Sequence, residues 1–162
     1  MVKILDSTLR EGQQTPGVKF NKKGKIKIAK ALDDFGIDII ECGHPAISQT
    51  EKETIKAIAK LGIGTETMAH ARARKDDVAA VAECGTDWVG IFLGINTMSL
   101  QHKYAKTKNE AESMVYESIT YAKQSGLKVR FTIEDATRTQ MEEIAGMAKL
   151  AKSAKADVIS LA

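Results

Sequence analysis

The sequence predicts an α/β protein whose parallel strands roll into a (β/α)8 barrel rather than an open doubly wound sheet. Three observations carry that expectation. Six short apolar, β-branched runs recur along the 162 residues, and an amphipathic helical pattern fills each gap between them. Polar residues able to do chemistry follow the carboxyl ends of several different strands. An open sheet gathers its site at one switch point, whereas a barrel collects residues from every strand end into one ring.

The strands, in order, are residues 2–5, 37–42, 64–69, 87–94, 128–134 and 157–162. Most are continuous rather than alternating, as expected when both faces of a parallel strand are covered. The third, GTETMA, has the weakest pattern and is held partly by its place in the rhythm. Helices are expected over 22–35, 51–61, 76–84, 109–124 and 142–154. The first sets Ile26, Ala29 and Leu32 on one face with lysines opposite, and the second does the same with Ile55, Ile58 and Leu61. Gly36, Gly62, Gly85 and Gly126 each fall just after a helical stretch, where a left-handed residue is wanted. Nothing along 1–162 marks an internal boundary, so one domain is expected.

Composition narrows the function classes. Apolar residues make up 43% and charged residues 28%, a globular balance that rules out a disordered chain. The 24 basic and 21 acidic residues leave only +3, mixed along the chain, so neither nucleic acid nor a membrane surface is expected as a partner. No apolar run spans a bilayer, and the start MVKILDSTLREG lacks a secretory h-region. Cys42 and Cys84 have neither metal-type spacing nor the number a disulfide scaffold needs. They read as reduced thiols of a cytoplasmic protein.

The segment DSTLREGQQTPG, residues 6–17, runs polar straight off a buried strand and places Asp6, Arg10, Glu11 and Gln14 close together. A carboxylate beside a guanidinium at a strand end can hold a hard divalent cation and an anionic substrate together. The same composition also suits a strand-to-helix loop with a surface ion pair. On the fifth strand Arg130, Thr132 and Glu134 alternate and so share one face. His70 follows the third strand; His44, inside GHPA, reads as shaping a turn, and Cys42 and Trp88 read as packing.

The stretch DSTLREGQQTPGVKF resembles the signature opening of the homocitrate synthases, within the larger family of isopropylmalate, citramalate and homocitrate synthases. The resemblance continues through IIECGHPA, MAHARA at 68–73 and KVRFTIEDATRT at 128–139. It is strongest to the archaeal and thermophile-type enzymes of lysine biosynthesis. It implies a TIM barrel that condenses acetyl-CoA with a 2-oxo acid, assisted by a divalent metal ion (Mg, Mn, Zn or Co) that polarises the ketone. By the same resemblance Glu11 would ligate the metal, and Arg10 would meet the ketone oxygen as its negative charge develops. Gln14 would touch substrate or a metal-bound water, and His70 would line the oxo-acid pocket. Arg130 would bind the distal carboxylate of 2-oxoglutarate, with Thr132 and Glu134 beside it. Glutamate rather than aspartate at position 11 favours a homocitrate synthase over an isopropylmalate synthase.

Four departures stand against the family pattern. Gln13 replaces an acidic residue, a loop change expected to be tolerated. Gly90 lies where lysine-regulated members carry an aspartate, and residues 96–99 replace the usual run after the fourth strand. The family's HxH metal ligands on the seventh strand have no counterpart among the 3 histidines. The expectation is therefore about six β/α units of an incomplete barrel. Its partners would be the two small substrates, together with a second copy or a C-terminal segment. Another 2-oxo acid, or a non-catalytic subunit or fragment of such an enzyme, are the competing readings.

Overall fold

In the computed structural model, which describes residues 2–162, strands and helices alternate from one end to the other. They are β1 (Leu5–Asp6), α1 (Lys22–Phe35), β2 (Ile39–Glu41), α2 (Gln49–Ala59), β3 (Glu66–Arg72) and α3 (Lys75–Ala82). There follow β4 (Trp88–Gly94), α4 (Lys108–Gln124), β5 (Lys128–Glu134), α5 (Met141–Ser153) and β6 (Val158–Leu161). The strands pair in chain order, every pair parallel. A doubly wound sheet reverses its order at a switch point. This one never does; it is an incomplete barrel of six strands.

The two faces of the sheet divide the chemistry. Val89, Ile91, Leu93, Val129, Phe131 and Ile133 share the main core with Ile55, Ile58, Val78, Val81 and Ile119 of the helices. The residues between them along each strand face the interior of the curl. There a small apolar floor of Ile39, Met68 and Trp88, with Leu5 against it, underlies the polar residues nearer the carboxyl ends.

Local signals set the helix ends. The Asn21 side chain accepts from Gly24 N at the start of α1, Ser48 does the same for Glu51 N at α2, and Thr107 and Glu110 form a reciprocal box at α4. All four glycines expected after helices have positive φ. Gly36, at φ 89°, returns its N–H to Leu32 and Asp33 and so closes α1. No helix among the described residues is long and apolar enough to cross a membrane.

The second strand is shorter than expected, Ile39–Glu41 against 37–42, the fourth and sixth differ by a residue at one end or both, and the first and third are shifted. The first strand pairs only at Leu5–Asp6, because the Ile4 N–H turns to the Asp38 carboxylate at 2.7 Å. The third runs Glu66–Arg72, later than 64–69, because its carboxyl end carries polar residues that break the apolar pattern.

Candidate active site

The polar end of the curl is built first by the turn after β1. Asp6 accepts from the Thr8 N–H (2.9 Å) and hydroxyl (3.1 Å), while Ser7 C=O accepts from the N–H groups of Arg10, Glu11 and Gly12. This tight coil, followed by a short helical turn over Gly12–Gln14, brings Arg10, Glu11 and Gln14 to the carboxyl end of the sheet. There they border a cavity of about 490 Å³, together with His70 from β3 and Arg130, Thr132 and Glu134 from β5. All seven candidates read from the sequence therefore line one cavity.

Its centre is a residue that the sequence reading passed over. Glu41, the last residue of β2, is fully buried. One carboxylate oxygen accepts from Ser7 Oγ (2.7 Å) and Arg10 Nε (2.9 Å), and the other from His70 Nε2 (2.6 Å) and Arg130 Nη2. Burial alone would raise the Glu41 pKa. The His70 hydrogen bond, the nearby charges of His70 and Arg130, and the Ser7 hydroxyl outweigh it and hold the carboxyl far below the usual range. An ionised carboxylate only accepts, so His70 Nε2 carries the proton it donates. Arg130 Nη2 lies 2.9 Å from the same nitrogen, both groups aimed at one oxygen.

Buried donors and acceptors are left over toward the cavity: Arg130 Nε and Thr132 Oγ1 find no partner within the protein. Phe92 lies against the His70 ring, centroids 5.7 Å apart. Glu134 is turned the other way, accepting from Lys103 Nζ (2.6 Å) and Tyr104 OH (3.0 Å). Those two residues belong to a π-helical turn, Ser99–Tyr104, that borders a second cleft of about 510 Å³. Lys103 and Arg138 line that cleft beside the carboxylates of Asp135 and Glu143, and buried Asn96 holds its wall through Asp135 at 2.7 Å. His44 lies outside both spaces, bonded to Asp77 at 3.3 Å. Burial, the largest influence on Cys42, pushes its thiol up to about 12, in keeping with a packing role.

Glu11 ion-pairs with Arg10 and accepts weakly from Gln14 Nε2 at 3.4 Å. Glu41 is already engaged by four donors, so Glu11, itself paired with Arg10, is the carboxylate that the turn presents to the cavity among the described residues. Among the described residues no group of three or more His, Cys, Asp or Glu is arranged to hold an ion. A hard divalent cation needs about six donors, so these residues do not make a metal site by themselves.

Fold and site together define an incomplete barrel whose polar cluster, built round a buried carboxylate, sits at the carboxyl ends of its strands, the place where barrel enzymes do their chemistry. The HMGL-like family model matches residues 1–162, and the chain belongs to that family. It is 45% identical over 159 residues to the homocitrate synthase of Pyrococcus abyssi, covering 98% of this chain and 44% of that protein. To the homocitrate synthase of Sulfurisphaera tokodaii it is 46% identical over 165 aligned positions, covering 99% of this chain and 36% of the relative. The chain thus spans less than half the length of the curated relatives it matches. Two solved structures share its fold. They are the HMG-CoA lyase of Bacillus subtilis (TM-score 0.78, 18% identity) and that of Acinetobacter baumannii in complex with coenzyme A and 3-methylmalate (TM-score 0.80, 14% identity). The chain is covered to 98% and 99%, and each of those chains to 56%.

Proposed function

We propose that this chain carries the 2-oxo-acid pocket of an acyltransferase that condenses acetyl-CoA with 2-oxoglutarate to give homocitrate. The observation that carries this reading is the convergence of two guanidinium groups and an imidazole on buried Glu41, with Arg130 Nε and Thr132 Oγ1 unpaired beside them. In that reaction the acetyl methyl gives up a proton and its carbon bonds to the ketone carbon. The ketone oxygen takes the electron pair and is later protonated; water then cleaves the thioester and releases coenzyme A. Arg10 meets the oxygen that gains charge, a fixed cation already oriented by Glu41. Arg130 offers its fork to the distal carboxylate, with Thr132 and His70 orienting the chain between. Glu134 and Lys103 stand where the two spaces adjoin, and Lys103 with Arg138 in the second cleft would meet the phosphates of the acyl carrier. A cytoplasmic setting, and association with a second copy or a further polypeptide segment, belong to the same proposal.

Calorimetry with 2-oxoglutarate, pyruvate and 2-oxoisovalerate tests the substrate, and 2-oxoglutarate is expected to bind best. Arg130→Lys keeps the charge but loses the fork, and should weaken 2-oxoglutarate by about 1.5–3 kcal/mol while leaving acetyl-CoA unchanged. Stronger binding of 2-oxoisovalerate, or equal weakening of both substrates by Arg130→Lys, would overturn the assignment.

A further inference from the structure

A glycine in the middle of a strand weakens it, and Gly90 sits in the centre of β4. Backbone freedom does not explain it, since Gly90 is not among the glycines with positive φ. Space does. In register, His70 of β3 pairs with Gly90, and Gly90 pairs with Arg130 of β5. All three positions face the interior of the curl, so a side chain at 90 would stand between the other two. A Cβ built there would lie 2.9 Å from His70 Cδ2, 3.0 Å from His70 Nε2 and 3.2 Å from Met68 Sδ. Real Cβ atoms essentially never approach a neighbour closer than 3.0 Å, so the imidazole would have to move.

We infer that Gly90 is a positioning residue: its missing side chain lets His70 and Arg130 reach each other across β4 and share one oxygen of Glu41. The ring that the bare Cα accommodates has its Nε2 2.6 Å from Glu41 and 2.9 Å from Arg130. Met68, fully buried beneath, blocks retreat toward the apolar floor. A methyl at 90 therefore pushes the ring away from the Glu41 oxygen it shares with Arg130 and leaves Arg130 alone on that oxygen. The consequence for ligand binding rests on the pocket being the 2-oxo-acid site proposed above; the consequence for the ring does not.

The test is a double-mutant cycle of Gly90→Ala and His70→Ala on the chain, read by histidine ring NMR and by calorimetry with 2-oxoglutarate. The 3 histidines make the ring signals assignable by substitution. Gly90→Ala should shift the His70 ring resonances, leave those of the remote His102 in place, and weaken 2-oxoglutarate roughly tenfold. In the His70→Ala background the same substitution should cost far less, because the clashing ring is gone and only the flexible Met68 side chain must give. If Gly90→Ala does not fold, the double variant should still fold as His70→Ala does; its collapse too would overturn the inference. Unmoved His70 signals, or an equal loss of affinity with and without His70, would also overturn it. Failure of the unaltered chain to bind 2-oxoglutarate would sink the proposed function alone, and the ring signals would then decide this inference by themselves.

Discussion

Glu41 is one carboxylate holding the side chains of β3, β5 and the turn after β1 in a single arrangement. Glu41→Gln keeps the shape and removes the charge, leaving Arg10 and Arg130 without their buried counter-ion. Removing one partner of such a pair costs about 3–5 kcal/mol, which denaturant unfolding would measure. The acid limb carries the same signature. The folded pKa is depressed, so the contribution is complete above the unfolded value of about 4.3 and drains away as pH falls below it. The unaltered chain should lose stability steeply below that pH, and Glu41→Gln should show a flatter limb; parallel limbs would mean that other carboxylates dominate. The sequence disclosed Arg130, Thr132 and Glu134 because their two-residue spacing marks one face of a strand. It hid Glu41, an acid closing the mostly apolar run IDIIE, where periodicity reads only a buried strand. The signal that would have found it is that a charge within a doubly covered strand must have partners.

Between elements, α1 and α2 are joined by an ion pair that periodicity could not show. Lys25, expected on the solvent side among other lysines, is fully buried and donates to Glu51 at 2.6 Å. Glu51 in turn crowds the turn after β2, where a Cβ on Gly43 would lie 2.1 Å from its carboxylate oxygen and where φ is 140°. Lys25→Met should destabilise by about 3 kcal/mol by stranding that carboxylate, and adding Glu51→Gln should recover part of the loss. Strictly additive single and double variants, measured by thermal or denaturant unfolding, would show that the pair does not couple the helices. The same scale explains which element limits were legible. Helix α1 matches its expected span because Asn21 and Gly36 are local signals written in the sequence. The end of β3 was not legible, because His70, which lines the cavity, and Arg72, paired with Asp77, break the pattern that marks a strand.

At the scale of the whole molecule, sequential parallel pairing leaves β1 bonded only to β2 and β6 only to β5 among the described residues. The free edges are also apolar: Val2 is 89% exposed, Ile4 58%, Leu161 59% and Val158 43%. Open strand edges carrying such side chains are templates for pairing, and native proteins cover or charge them. The inner floor has the same problem, since Leu5 is only partly buried against Ile39, Met68 and Trp88. Each buried backbone group left unpaired costs about 1–3 kcal/mol, against a total stability of about 5–15 kcal/mol for a domain. Pairing edge to edge with another copy or with a further segment of polypeptide would relieve this. The 162-residue chain by itself should therefore associate as its concentration rises, and size exclusion with light scattering should report masses above 17.6 kDa. Ile4→Lys together with Val158→Lys places charge on both edges and should shift the distribution toward monomer, because a lysine there must be desolvated for the strands to pair. The helix-covered core would be untouched, so the melting temperature of the charged variant should not fall. A sharp 17.6 kDa species at every concentration, melting cooperatively and binding no apolar dye, would show that six strands close their own edges well enough.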